Sequence, residues 1–426
     1  MAKGRWAGLR LATAERSQKQ WDESCLDDLL GPEHRARQVW AYVEGLDLSV
    51  LYGRVRTTER SSGRSAIDPA ILMSLWLYAT LDGVGSARLL DRLCGSEAAY
   101  RWLCGGVGVN YHTLSDFRLQ AGGLLDDLLS KSIAGLIGAG LIDVNTVAVD
   151  GLRVRASAGA GSFRRGERLE QLYEATREAI GQLRAEVEEE PGSAQRRRQV
   201  RRQAVAEDRL RRLEEARAAH AEIEQRRQQE AAEQRRKKKQ NAKPPRASTS
   251  DPQARVMKMA DGGFRPAYNV QFKSAAKGSH IIGVSVTNRG SDRGLLVPAL
   301  EEIEQRYDVT PKRMLGDGGY DGKDDIEQLH AQGIEVFCPL PNNTKGDPAA
   351  PRRGDGPGTR VWRQRMDTPE GKATYRRRFA TERPHAHMRN HGLQRLLVRG
   401  ADKVKAVMLW HVHAFNFLQF KRMGWI

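Results

Sequence analysis

The feature that most constrains this chain is a glycine-poor, highly charged segment that interrupts an otherwise ordinary globular sequence. Residues 162 to about 240 are dense in Arg, Glu, Gln and Ala, and after Gly166 they contain only Gly181 and Gly192 as glycines. Two apolar stripes at helical spacing, separated by Pro191-Gly192, predict two paired helices with a charged exterior. Strand signals stand on both sides, so the segment is predicted to be an insertion. A solvated coiled coil and a dimerisation element both fit this pattern.

The overall charge indicates a polyanionic partner. The formal net charge is +17 and the isoelectric point is near 9.9, and neutralising phosphates with such a surface releases counterions. Ribosomal and membrane-surface proteins share this composition, so charge alone does not choose the partner. The four cysteines show no Cys-x-x-Cys spacing, and no apolar run reaches the roughly 18 residues of a membrane span or follows the N-terminus as a signal peptide. A soluble protein of a reducing compartment is expected.

Residues 1 to 140 are predicted to be helical. Helix starts are marked by Asp68-Pro69, Ser86 and Ser96, and glycine turns follow at short intervals. Short helices joined by glycine turns are typical of a compact helix-turn-helix module.

Strand and helix signals alternate through the rest of the chain. Residues 144 to 149 are rich in β-branched residues, and Asp150-Gly151 is expected to end that strand and open a hairpin. Further strands are expected at 268–272, 281–286, 314–317 and 334–339, with helices at 295–307 and 324–332 between them. This order predicts a mixed sheet with helices on its faces.

Two aspartates stand at predicted strand ends. Asp150 and Asp317 are each preceded by apolar residues and followed by glycine. The ends of adjacent strands form a crevice for ligands, and two carboxylates there can hold Mg²⁺ with positions left open for phosphate. The alternative is structural, because an Asp-Gly pair is most often a turn.

A third acidic residue lies in a spaced set near the C-terminus. Tyr375, Arg378, Glu382 and Arg389 are separated by three, four and seven residues, which places them on one face of a helix. A carboxylate with basic neighbours can bind metal while its neighbours bind phosphate. A salt-bridged structural face has the same spacing.

Together these motifs resemble the bacterial insertion-sequence transposases of the DDE class, in the group with the Tyr-Arg-Glu-Lys signature. The matching pieces are Val147 to Gly151, Thr287-Asn288 before Asp292, Leu315 to Tyr320, and Tyr375 to Arg389. The resemblance implies a ribonuclease-H-like core in which Asp150, Asp317 and Glu382 are the catalytic, metal-binding triad for Mg²⁺ or Mn²⁺, with two ions expected. It also implies that Tyr375, Arg378 and Arg389 support DNA or position the glutamate.

The resemblance implies a function and a cellular setting as well. The protein is expected to bind the ends of an insertion sequence and to catalyse metal-dependent DNA cleavage and strand transfer. Its expected partners are double-stranded DNA, as element ends and target, and a second copy in a homodimer on DNA. A cytoplasmic, nucleoid-associated bacterial protein without membrane contact is expected. Two alternatives stay open: a non-catalytic DNA-binding protein derived from a transposase, and a metal-dependent nuclease without joining activity.

The predicted organisation is an N-terminal all-helical DNA-binding domain (1–140), a ribonuclease-H-like catalytic core (141–160 and 251–426), and an inserted basic helical hairpin with a linker (161–250). Two positions depart from the group. Arg389 replaces the commoner lysine, which preserves charge but not geometry, and Pro384 is placed where it can kink the helix of Glu382.

Two further features have alternative readings. Trp362 lies between arginines and is a candidate DNA-binding residue that stacks on an unpaired base, or else a packing tryptophan. The C-terminal histidines are expected to be solvated or to face phosphate, with zinc binding as the other possibility: His385, His387, His391, His411 and His413.

Overall fold

A computed structural model describes residues 25–55, 65–189, 193–233, 244–341 and 347–425. The helices are α1 (Arg35–Glu44), α2 (Ser49–Tyr52), α3 (Pro69–Leu81), α4 (Ala87–Ser96), α5 (Ala98–Cys104), α6 (Tyr111–Gln120), α7 (Gly122–Gly138), α8 (Gly166–Glu189), α9 (Ser193–Glu233), α10 (Leu296–Tyr307), α11 (Lys323–Ala331), α12 (Pro357–Asp367), α13 (Pro369–Tyr375), α14 (Glu382–Asn390) and α15 (Ala401–Arg422). The strands are β1 (Asp143–Arg155), β2 (Phe163–Arg164), β3 (Ala247–Ser248), β4 (Arg255–Lys258), β5 (Phe264–Lys277), β6 (Ile281–Thr287), β7 (Arg313–Leu315) and β8 (Glu335–Phe337).

Six strands form one mixed sheet. Strands β6, β5 and β1 pair antiparallel, and β7 and β8 continue the sheet from β1 in parallel. The short strand β4 pairs with β5 as well. A mixed sheet accompanied by many helices is the coarse architecture that the sequence predicts, and it fits a ribonuclease-H-like core.

The first strand is longer than predicted. β1 continues through Asp150-Gly151, whereas the sequence predicts that the strand ends there, so that expectation was wrong. The reason is the neighbouring strand, because β5 pairs with β1 without interruption from Val147 to Arg155. A ladder of backbone hydrogen bonds along one edge leaves no place for a turn.

The inserted segment contains two helices that lie side by side. Arg184 of α8 is 3.0 Å from Glu207 of α9, and Arg217 of α9 is 2.8 Å from Glu170 of α8, so the two helices run antiparallel. At their base, β2 and β3 form a separate two-stranded sheet. Residues 190–192 and 234–243, which include the Pro191-Gly192 break and the basic run, lie outside the described residues.

The last helix joins the N-terminal helices to the sheet. The Trp410 indole of α15 donates a 3.0 Å hydrogen bond to the carbonyl of Arg118, and Asn416 exchanges two hydrogen bonds with the backbone of Ile281 on β6. Buried apolar residues form one continuous core across these elements, while the domain division at residue 140 stays a prediction. His411 and His413 lie in this core, so the expectation that they are solvated was wrong. Among the described residues, no helix has the length and apolar character needed to cross a membrane.

A buried network of charges connects the same elements. The Lys273 side chain on β5 is 1% exposed and pairs with Glu302 of α10. Arg306 of α10 lies 2.6 Å from Asp126 of α7, which is 2.7 Å from Lys405 of α15. Burial lowers the pKa of Lys273, and the charge of Glu302 opposes that shift. The ammonium group therefore depends on its carboxylate partner to stay charged inside the protein.

We predict that Glu302→Gln destabilises the protein by about 3 to 5 kcal/mol, because the substitution leaves the Lys273 ammonium buried without a counter-charge. Urea denaturation followed by circular dichroism measures the change. Glu301→Gln is the matched control, since Glu301 is its exposed neighbour on the same helix. Equal stability of the two variants would contradict the prediction.

Candidate active site

The parallel pairing of β1 and β7 sets the relative position of the two aspartates. Ala148 is the last β1 residue in register with β7, and its partner is Leu315. Asp150 and Asp317 each lie two residues beyond this pair, so both reach the same edge of the sheet. The sequence predicts that these residues come from neighbouring strands, and the structure places them on β1 and directly after β7.

Asp150 is almost enclosed by the segment that precedes α14. One carboxylate oxygen, Oδ2, accepts hydrogen bonds from Arg378 Nη1 at 3.0 Å and Thr381 Oγ1 at 3.2 Å, and His385 Nδ1 lies 3.6 Å away. The other oxygen accepts from the Gly151 N–H at 2.9 Å. Burial raises the pKa of Asp150, while the charge of Arg378 and the Thr381 hydroxyl act in the opposite direction. The carboxylate thus lies in a site where a positive charge stabilises it strongly.

The segment with the spaced Tyr, Arg and Glu is less regular than a single helix. α13 ends at Tyr375, a 3₁₀ turn runs from Arg376 to Thr381, and α14 begins at Glu382. The prediction that one α-helical face carries all four residues is therefore wrong in detail. Pro384 falls in the first turn of α14, where its missing N–H breaks no helical hydrogen bond.

Arg378 is nevertheless the centre of this segment. Its guanidinium lies 5.9 Å from the ring centroid of Tyr375 and 3.7 Å from Glu382 Oε1. The Glu382 side chain is 63% exposed, and Arg389 is exposed near the end of α14. Arg378 therefore links Glu382 to Asp150. No hydrogen bond or ion pair joins Glu382 directly to Asp150 or Asp317.

Asp317 is held by the turn that follows it. Its Oδ1 accepts a 2.7 Å hydrogen bond from the Gly319 N–H within a 3₁₀ turn that ends at Tyr320. Burial raises the pKa of Asp317, and the charges of Asp150 and Asp292 raise it further. A half-buried carboxylate whose pKa is raised by burial and by two neighbouring carboxylates lies in a site where a cation would be stabilised.

A supporting network lies on the opposite face of β1. Consecutive strand residues point to opposite faces, so Gly151 faces away from the Asp150 carboxylate. There Asp292 Oδ1 accepts hydrogen bonds from Asn269 Nδ2 at 2.6 Å and Gln271 Nε2 at 2.9 Å. The Tyr320 hydroxyl donates to Gln271 Oε1, which connects this network to the turn that holds Asp317.

Sequence reasoning missed the importance of this network. Asp292 lies in one of the sequence motifs, but the motif gives it no role. A Cβ atom on Gly319 would lie 2.9 Å from Asp317 Oδ1 and 3.2 Å from Asp292 Oδ2. The two carboxylates thus approach the same small space. A signal was present, since Asn269 and Gln271 are two polar residues at i and i+2 in an apolar strand. That spacing places both on one face.

Trp362 has the packing role, which is one of the two roles that the sequence leaves open. The side chain is 2% exposed, and its indole N–H donates a 3.0 Å hydrogen bond to the carbonyl of Cys338. No face of the ring is free for a nucleobase, so the DNA-stacking expectation is corrected in favour of packing between α12 and the end of β8.

Within the described part of the chain, no three Asp, Glu, His or Cys side chains converge as a ready set of metal ligands. The geometry gives a reason, because the Arg378 guanidinium lies against Asp150 and the Glu382 side chain faces solvent. Asp150 and Asp317 are carboxylates of the type that divalent cations prefer, and burial, the main cause of the raised pKa of each, makes their charge costly unless a cation neutralises it.

Comparison with known families matches two parts of the chain. Residues 24–120 match the model described as "Transposase domain (DUF772)", and residues 242–417 match the model described as "Transposase DDE domain". The second match includes Asp317 and Glu382, whereas Asp150 precedes it on the other side of the inserted helices. Neither the curated proteins nor the solved structures contain a match to this chain.

We predict that Gly151→Ala destabilises the protein by about 1 to 3 kcal/mol through overpacking. The added methyl group would lie 2.6 Å from both Asp292 Oδ1 and Gln271 Nε2, and the displacement would reach Asp150 through the strand. Thermal unfolding measures the effect, with Gly159→Ala as control because no atom lies within 4 Å of its Cβ position. If the two variants melted together, the network would tolerate expansion and the packing argument would be wrong.

Proposed function

Because this chain belongs to the insertion-sequence transposases of the DDE class, we propose that it binds the ends of its own element and cuts and rejoins DNA there. In the cleavage step, a water oxygen bonds to the scissile phosphorus and the bond to the 3′ oxygen breaks, with a proton passing to that oxygen. In the joining step, the freed 3′ hydroxyl attacks a target phosphorus and displaces the target's own 3′ oxygen.

The observation that carries this proposal is the placement of Asp150 beside Asp317. The two residues are 167 positions apart in the sequence, and the register of β1 and β7 brings them to one edge of the sheet. Both carboxylates have a raised pKa caused first by burial. A purely structural role would not explain why two acids are kept close in a partly dry site.

The proposed metal ligands are Asp150, Asp317 and Glu382. Transposases of this class generally use divalent metal ions, and Mg²⁺ or Mn²⁺ suits carboxylate oxygens. A pair of bound ions supplies activation of the attacking oxygen and stabilisation of the leaving oxygen. The two aspartates repel each other and are shielded from water, so bound cations would stabilise them. Glu382 is the exposed acid that Arg378 links to Asp150.

The basic residues of the site have separate proposed roles. Arg378 neutralises Asp150 and ties the start of α14 to β1, and Thr381 holds the same carboxylate oxygen. Tyr375 supports Arg378 through its ring. Exposed Arg389 is available to a phosphate of the DNA. These residues thus position the acids and the scissile strand.

The helices α1 to α7 are the proposed reader of the element's ends. They contain the part of the chain that matches the first transposase model, residues 24–120. We propose duplex DNA as their ligand and a homodimer on DNA as the acting form, in a protein associated with the nucleoid. Base contacts from these helices would give sequence preference, whereas dispersed Lys and Arg contacts to phosphate would supply most of the affinity.

The alternatives are separated by one assay. The protein is incubated with duplexes of its element's ends, a target plasmid and Mg²⁺, and the products are resolved on denaturing gels. Nicked and joined products together support a transposase. Nicks without joining would indicate a hydrolytic nuclease, and binding without either product would indicate a non-catalytic descendant.

We predict that Asp317→Asn lowers strand cleavage by about 10³-fold or more, because one lost ligand disables the whole unit. DNA binding should stay largely intact or tighten slightly, since a negative charge near the phosphates is removed. Asp150→Asn and Glu382→Gln should behave alike, and double variants should be no worse than single ones. Cleavage and gel-shift assays on the same preparations measure both quantities.

Asp324→Asn is the matched control, because Asp324 is an exposed acid on the following helix α11. It should cleave at the wild-type rate. Near wild-type cleavage by all three site variants would show that the triad is assigned wrongly. Loss of DNA binding in those variants would show that the acids are structural.

A further inference from the structure

A groove between the two inserted helices has no role in the proposed chemistry. It is open, with a volume of about 560 Å³. Small side chains of α8 and α9 form its floor, and four arginines of α9 stand around it: Arg198, Arg201, Arg202 and Arg209. Arg198, Arg202 and Arg209 are separated by four and seven residues, which places them along one side of the helix.

These four arginines have no ion pair among the side chains that the structure describes. All four are exposed. Two acids of the same stretch of α9 are already paired, since Glu207 lies 3.0 Å from Arg184 and Asp208 contacts Arg211 and Arg212. Between Glu190 and Glu207 the sequence holds five arginines and no acidic residue. Most other arginines that the structure describes on these helices, by contrast, have a carboxylate partner.

The arrangement fits an extended anion with repeated charges. From Arg198 to Arg209 the helix rises roughly 16 Å, while duplex DNA presents a phosphate about every 1.7 Å along its axis. A row of guanidinium groups can therefore contact several phosphates at once, and each has the planar donor geometry that phosphate oxygens accept.

The groove is tied to the strand that carries Asp150. α8 follows β1 after the short strand β2, and α9 returns to the sheet through β3 and β4. Arg255 of β4 lies 3.2 Å from Glu222 of α9, and Leu169, Leu213 and Ala247 form a small apolar core at the base. The base of the two helices is thus anchored to the sheet that carries Asp150.

We propose that this arginine groove is a second DNA-binding surface, which holds the phosphate backbone of duplex DNA independently of base sequence. The inference rests on the proposed function in one respect, namely that DNA is the ligand. The guanidinium groups stand in a row about 16 Å long, which suits the regularly spaced phosphates of a duplex better than an acidic segment of a second copy.

The test is the salt dependence of DNA binding by R198Q/R201Q/R209Q, in full-length protein. Glutamine keeps helix propensity and removes only the charges. Fluorescence anisotropy is measured with an element-end duplex and with an unrelated duplex over a range of salt concentrations. We expect affinity for both duplexes to fall by a similar factor, roughly tenfold or more at low salt, and the slope of log K against log salt to become shallower by about 2 to 3.

Two further variants make the test specific. R177Q/R184Q/R211Q removes the same number of charges from exposed arginines of the same two helices, but each of these already has a carboxylate partner. It should bind almost as tightly as the wild type. R198K/R201K/R209K keeps the charge and should recover most of the affinity, which a merely structural defect would not do.

Each outcome is decisive. If the glutamine triple binds DNA as tightly as its ion-paired control, the proposal is overturned. It is also overturned if DNA affinity is unchanged while light scattering shows loss of self-association, because the groove then holds a second copy. If the wild-type protein does not cleave DNA but the groove variants still bind DNA more weakly, the proposed function is wrong. The arginine groove is then still a DNA-binding surface.

Discussion

The pairing of β1 with β7 is the constraint on which the rest of the site depends. Only three residue pairs define it, from Thr146 with Arg313 to Ala148 with Leu315. Parallel register fixes which residues come level at the sheet edge, and a shift of one residue would turn an aspartate to the other face. Everything between the two strands, including the inserted helices and the antiparallel strands β4 to β6, has to be accommodated without disturbing that register.

The site is built on both faces of one strand. On one face, Asp150 is neutralised by Arg378 from the turn before α14. On the other, Asp292, Gln271 and Tyr320 form a hydrogen-bonded layer that supports the turn after Asp317. Gly151 lies between the two, where a larger residue would collide with the layer below. Buried polar groups are stable only when they are satisfied, and here the satisfied layer is joined through Tyr320 to the turn that holds Asp317.

Charged side chains have different surroundings in the interior and on the inserted helices. Inside, Lys273, Glu302, Arg306, Asp126 and Lys405 neutralise one another and connect the sheet to α7, α10 and α15. On the inserted helices, many arginines are paired, whereas those of the arginine groove have no ion pair among the described side chains. A paired charge contributes to the fold, but an unpaired, exposed one keeps its full attraction for phosphate. The net positive charge of the chain therefore indicates a phosphate-binding surface only when it is known which basic side chains are paired with acids.

The sequence by itself determined the coarse elements and nominated the acids as candidates. Apolar periodicity located β6, α10 and α11 to within one residue and found the middle of β5, because burial of one face imposes a local pattern. Composition alone marked the inserted helices. What only the tertiary structure decided was non-local. β1 continues past Asp150 because β5 pairs with it, Trp362 is buried, and Arg378 lies between Asp150 and Glu382. Asp292 is joined through Gln271 and Tyr320 to the turn after Asp317. These depend on contacts between residues far apart in the chain, and no local pattern records which partner a side chain will meet.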